Sequence, residues 1–147
     1  MPARFAIYWK GTNNGFNNMD QKTYDLGLSI RKDVIGKEFV EKALSTADDF
    51  TRPLQELVTE YCWGACWGRE GLSRKTRSML NLAMLGVLNR PNELKNHVAG
   101  ALRNGVTPDE IREILLQVAI YAGIPAGVDS FRVAHEVIKS HTARQSQ

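Results

Sequence analysis

SRKTRSMLNLAMLGVLNRPNELKNHVAGALRNGVTPDEIREILLQVAIYAG, residues 73–123, reads as three helices in direct succession. Ser73 can cap the first. Its SMLNLAMLGVL (78–88) is apolar nearly all round, which predicts burial on every side, part of it supplied by a second subunit in so small a domain. Asn89-Arg90-Pro91 then breaks the pattern. Leu94, His97, Val98, Ala101 and Leu102 resume it at spacings of three and four, and Gly105 suits the position after a helix end. Thr107-Pro108-Asp109-Glu110 forms a capping box with proline at the first helical position. Ile111, Ile114, Leu115, Val118 and Ala119 make the buried stripe that follows.

The same punctuation extends outward. A last helix follows Pro125. Upstream, Phe50, Leu54, Leu57, Val58, Tyr61, Cys62 and Ala65 recur at helical spacing behind Pro53, and Phe39, Val40, Ala43 and Leu44 mark a short helix. Tyr24, Leu28, Val34 and Ile35 share a face between Asp20, a good N-cap, and Gly36, a stop. No convincing alternating strand follows residue 20, so the fold class is all-α. Residues 1–18 differ: Phe5, Ile7 and Trp9 alternate, but GTNNGFNN has no period. They read as an extension ahead of a helical domain over 19–141 and a tail over 142–147, with an arm over a neighbouring subunit as the other reading.

A chain of 147 residues suits one domain. Hydrophobic residues at 43% and charged residues at 24% fit a soluble globular protein, and no apolar run approaches the ~18 residues of a membrane span. The N-terminus lacks the pattern of a secretory signal, and two cysteines one helical turn apart are no secreted scaffold, so a cytoplasmic location is expected. The pI near 9.0 raises nucleic acid as a partner. Arg4, Lys10, Lys139 and Arg144 lie outside residues 20–138, however, whereas all 16 acidic residues lie inside. The basic excess belongs to the tails, so neither nucleic acid nor a membrane is an expected partner.

EYCWGACWGRE, residues 60–70, gathers the candidate chemistry. Dithiol redox sites use C-x-x-C rather than this C-x-x-x-C, so Cys62 and Cys66 read better as buried small hydrophobes. Tetrahedral zinc wants four ligands, and the nearest histidine, His97, is more than thirty residues on, so no metal is expected. Trp63 and Trp67, one turn apart, suit core or interface better than a substrate wall on spacing alone. Glu60 beside them is a candidate acid, or a solvated glutamate. His97 lies on an apolar stripe, where a lone histidine is more often satisfied core, but Glu93 four residues back is a carboxylate placed to fix its tautomer and raise its basicity. Arg77 opens the most apolar helix, an odd place for a cation unless it meets an anion there.

VTEYCWGACWGREGLSRKTRSMLNLAML (58–85) and NRPNELKNHVAGALRNGVTPDEIREILLQVAIYAGIPAG (89–127) resemble the carboxymuconolactone decarboxylase family, the similarity running from about Met19 to Ile138. The resemblance implies an alkylhydroperoxidase D-like, all-helical subunit that assembles into rings, as a homotrimer or hexamer, and works without a cofactor. Peroxidase-like relatives carry C-x-x-C-x-x-x-H. The two thiol positions are Arg90 and Glu93 here and only His97 remains, so that mechanism is excluded on residue type. The resemblance further implies decarboxylation of 4-carboxymuconolactone to 3-oxoadipate enol-lactone in protocatechuate catabolism. Such a reaction needs cations for two carboxylates, donors where charge develops, and an acid. Arg77 and Arg69 are the expected carboxylate anchors, and His97 is the proton donor oriented by Glu93, with Glu60 as the alternative acid. Trp63, Trp67 and Tyr121 are the expected wall. A lyase or isomerase on a related lactone is the competing activity. A non-catalytic oligomeric partner of a catabolic enzyme is the third reading, against which His97, Glu93, Glu60 and Arg77 together argue.

Overall fold

The computed structural model describes residues 19–145, and the readings placed on residues 1–18 and on the last two positions lie outside them. Among the described residues every regular element is helical: α1 (Gln21–Ile35), α2 (Lys37–Ser45), α3 (Arg52–Leu57), a π-helical segment (Val58–Cys66) continuing from it, α4 (Arg74–Val87), α5 (Pro91–Arg103), α6 (Pro108–Ala122) and α7 (Ile124–Gln145). None of these helices is long and apolar enough to cross a membrane.

Local chemistry sets several of the boundaries. The Asp20 and Ser73 side chains accept from the amides of Thr23 and Thr76 at the starts of α1 and α4. Gly36, at φ 110°, ends α1 in a conformation that costs other residues a steric clash. At α6 both halves of the capping box are formed, Thr107 Oγ1 accepting from Glu110 N at 3.1 Å and Glu110 Oε2 accepting from Thr107 N at 2.8 Å. Glu110 also pairs with Lys75 Nζ at 2.8 Å, which ties the start of α6 to α4.

Two packed clusters make the interior. Leu82, Leu94, Val98, Ala101, Ile111, Leu115 and Val118 join α4, α5 and α6, with Ala134 from α7. Ile30 and Val34 of α1 form the second with Trp63 and Trp67. Helix α5 links them, because Gly100 lies so close to α1 that a Cβ there would stand 2.8 Å from the Val34 carbonyl oxygen. Arg103 Nη1 donates to that same oxygen at 2.8 Å.

Between α1 and the π segment the backbones meet directly. A Cβ on Gly27 would fall 2.0 Å from Thr59 O, and one on Gly64 would fall 2.2 Å from Thr23 O. Arg31, only 7% exposed, crosses this seam and donates from Nη1 to Thr59 Oγ1 at 2.9 Å and from Nη2 to Gln55 Oε1 at 2.8 Å. The buried face of α1 is therefore Gly27, Ile30, Arg31 and Val34, while Tyr24, Leu28 and Ile35 are only half-buried.

The π winding overturns the stripe expected from Phe50 to Ala65. Bonds of the i→i+5 kind, such as Trp67 N to Cys62 O at 3.0 Å, widen each turn beyond the α-helical repeat. Thr59, Trp63, Gly64 and Trp67 turn inward, and Tyr61, Cys62, Ala65 and Cys66 turn outward. Phe50, before α3, is 91% exposed. The thiols are thus free and exposed, not buried small hydrophobes. Nor is α4 buried on every side within the subunit: Ser78, Leu82 and Gly86 face the core, whereas Leu80, Met84 and Val87 are exposed.

Candidate active site

Three helical elements meet at His97: the π segment, α4 and α5 itself. From the π segment and the residue after it, Trp63 and Trp67 pack ring against ring at a centroid distance of 4.8 Å, and they are 4% and 5% exposed. The His97 imidazole lies parallel to Trp63 within 5° at 6.0 Å and tilted to Trp67 at 6.5 Å. From α4, Asn81 places its side-chain Nδ2 3.3 Å from His97 Nδ1. The α5 stripe of Leu94, Val98 and Ala101 is locked in the core, which fixes where His97 leaves the helix.

Burial lowers the His97 pKa to about 4, and the Glu93 charge one turn earlier opposes that shift without cancelling it. The ring is accordingly neutral at pH 7. Glu93 itself is exposed and acts on His97 through charge, whereas the hydrogen-bond partner of the ring is Asn81.

Arg77 precedes Asn81 by one turn of α4, so both side chains lie on the same flank. Its Nη2 donates to the Arg69 carbonyl oxygen at 3.2 Å, and its Nη1 reaches Cys66 Sγ at 3.8 Å. These contacts hold the guanidinium over the turn that follows the π segment. Its Nε–H is buried with no hydrogen-bond partner, the only such side-chain atom among the described residues. An orphaned charged donor is costly in a folded protein, and an anion bound there would satisfy it.

The other sequence candidates make different contacts. Glu60 Oε1 accepts from the Asp20 backbone amide at 3.0 Å, which ties the π segment to the start of α1. Arg69 contributes its backbone carbonyl to Arg77 while its side chain is exposed. Tyr121 stands 82% exposed on α6, whose packing partners are α4 and α7. Among the described residues no group of three or more His, Cys, Asp or Glu is close enough to hold a metal ion. Asn81 was missed, although it is the lone polar side chain between Met79 and Leu88, a signal the sequence did carry.

The exposed thiols make a testable contrast. Desolvation by surrounding protein raises the Cys62 pKa, which disfavours a reactive thiolate even though the residue as a whole is exposed. A folded Cys62→Ser, Cys66→Ser double variant should keep most of the wild-type turnover, and a dead but folded one would restore a thiol mechanism.

A family model described as the carboxymuconolactone decarboxylase family matches residues 52–136, a span that contains every residue of the cluster. Over 122 residues, 83% of this chain and 85% of the relative, the sequence is 44% identical to a nitrosuccinic acid decarboxylase of Metarhizium robertsii. Over 120 residues, 82% of this chain and 90% of the relative, it is 38% identical to a 4-carboxymuconolactone decarboxylase of Acinetobacter baylyi.

Proposed function

The chain belongs to the carboxymuconolactone decarboxylase family and is a carboxy-lyase, and we propose that its substrate is 4-carboxymuconolactone, decarboxylated at the cluster of Arg77, His97, Trp63 and Trp67. The observation that carries this reading is the unpartnered, buried Nε–H of Arg77, one helical turn from the Asn81 that holds His97.

In 4-carboxymuconolactone the carbon–carbon bond to the ring carboxylate breaks heterolytically. The electron pair passes through the ring double bond to the lactone carbonyl oxygen, and a proton taken from solvent water then adds at the distal ring carbon. One carbon dioxide leaves and one proton is consumed. Arg77 anchors a substrate carboxylate, with the exposed Arg69 side chain available to the second. The indole pair covers the departing group and weakens its solvation. At pH 7 only ~1 in 10³ free sites carries a protonated His97, given its pKa of about 4. Its role is therefore that of a neutral hydrogen-bond donor to the oxygen where charge develops, rather than the resident acid expected from the sequence. Glu60 acts as a structural tie in this reading.

A second substrate is favoured by the 44% identity to a nitrosuccinic acid decarboxylase. Nitrosuccinate shares the logic: two carboxylates, one of them on the carbon that bears an electron sink, the nitro group in place of the lactone carbonyl. Purified protein should therefore be given each compound, with carbon dioxide release and product identity followed. Release from 4-carboxymuconolactone is the expected result, release from nitrosuccinate alone would shift the assignment to the second acid, and release from neither would overturn both.

Homo-oligomeric assembly, as a trimer or hexamer, belongs to the same proposal. Leu80 and Met84 of α4, Leu116 and Ile120 of α6 and Ile124 of α7 are exposed apolar side chains that association would cover. Sedimentation should give a species several times heavier than 16.5 kDa, and a monomer at micromolar concentration would contradict it.

A further inference from the structure

We propose that Asn81 is a positioning residue that fixes the proton of neutral His97 on Nε2, leaving Nδ1 as the acceptor. The effect on turnover rests on the reading of His97 as the donor to the developing oxyanion, whereas the tautomer does not depend on any substrate.

The amide nitrogen of Asn81 carries two hydrogens and no lone pair free to accept, so at 3.3 Å from His97 Nδ1 it can only donate. The ring nitrogen facing it must then offer its lone pair, and in a neutral imidazole the remaining proton sits on Nε2. Packing of α4 keeps this arrangement from drifting. Ser78 and Leu82, on either side of Asn81, are fully buried, and Arg77 is held at its guanidinium by Arg69 and Cys66. Trp63 lies parallel to the ring at 6.0 Å and Trp67 tilted to it at 6.5 Å, which restricts its rotation.

A half-buried amide in an otherwise apolar stretch costs free energy unless it is hydrogen-bonded, and His97 supplies that partner. The same contact resists imidazolium formation, because a second N–H on Nδ1 would point at the amide hydrogens. Burial acts in the same direction and Glu93, the charge that reaches the ring, acts against both. Aspartate at position 81 would invert this logic: of nearly the same shape, it accepts instead of donating, so it would draw the proton to Nδ1 and add a second charge that favours imidazolium.

Nitrogen-15 NMR of the His97 ring in the substrate-free wild-type protein, in Asn81→Asp and in Asn81→Ala tests the assignment. The wild-type ring is expected as the Nε2–H form at neutral pH. Asn81→Asp should show a proton on Nδ1 and a raised pKa, and Asn81→Ala a mixture of tautomers. Turnover of folded Asn81→Asp should fall ~10- to 10²-fold. A wild-type ring protonated on Nδ1, or variants with an unchanged tautomer, would overturn the proposal. A tautomer that shifts while turnover stays at the wild-type level would uphold the role of Asn81 and instead remove His97 from the chemistry.

Discussion

Gly64→Ala is expected to destabilise the protein by ~3 kcal/mol or more, with a fall in melting temperature on the order of 10 °C. The new Cβ would lie 2.2 Å from the Thr23 carbonyl oxygen, a contact that no rotamer change can relieve because both atoms are fixed by backbone. Helix α1 and the π segment would have to separate. Separation would uncover Ile30 and Val34 and loosen the hydrogen bonds of Arg31 to Thr59 and Gln55. Trp63 and Trp67 ride on the same segment, so turnover should be lost with stability. Gly71→Ala is the matched control: a Cβ there meets nothing within 4 Å, and its effect should stay within ~0.5 kcal/mol. Equal melting temperatures for the two variants would show that the close approach does not carry the fold.

This seam also marks where sequence reading stopped. The caps at Asp20, Ser73 and Thr107 and the stop at Gly36 were legible because each is a bond between a side chain or backbone and residues a few positions away. The stripe of α5 was legible for the same local reason. Between Val58 and Cys66 the winding is set by what packs across it, and neither Gly27 nor Gly64 announces its partner in the sequence. An α-helical period imposed there placed the thiols inside and left the phase of Trp63 and Trp67 undecided. At the site, Arg77 and His97 stood out as a cation and a titratable group on apolar faces. Their relation was not legible, because Asn81 and His97 sit on different helices 16 residues apart. For Glu60 the aromatic neighbours in the chain leave candidate acid and solvated glutamate both open, and the hydrogen bond of its carboxylate to an amide 40 residues away is not legible there.

Removal of the imidazole has the largest expected effect on activity. His97→Ala should lower turnover by ~10² to 10³ while the protein stays folded, the usual loss when one preorganised donor to a developing oxyanion is deleted. Glu60→Gln, measured alongside, should act mainly on stability through the start of α1, and a folded, dead Glu60→Gln beside an active His97→Ala would transfer the chemistry to Glu60. The pH behaviour follows from the lowered pKa of His97. Its neutral form persists down to about pH 4, so the acid limb of kcat/KM should lie near there, and Glu93→Gln should move it lower still by removing the charge that favours imidazolium. Stability obeys the same linkage. Between about pH 4 and the unfolded value of 6.5 the unfolded chain binds the proton and the native site does not, so stability falls as pH drops through that window. His97→Ala should lose that part of the acid sensitivity.

The claim that decarboxylation uses Arg77 together with the Trp63, Trp67 and His97 cluster is tested most directly by carbon dioxide release from 4-carboxymuconolactone, measured side by side for wild-type protein and a folded Arg77→Ala variant. Wild-type protein should release carbon dioxide, and Arg77→Ala should lose ~10²-fold in kcat/KM, the scale of a desolvated charge pair deprived of one partner. Release at the wild-type rate from Arg77→Ala would place the chemistry elsewhere on the molecule.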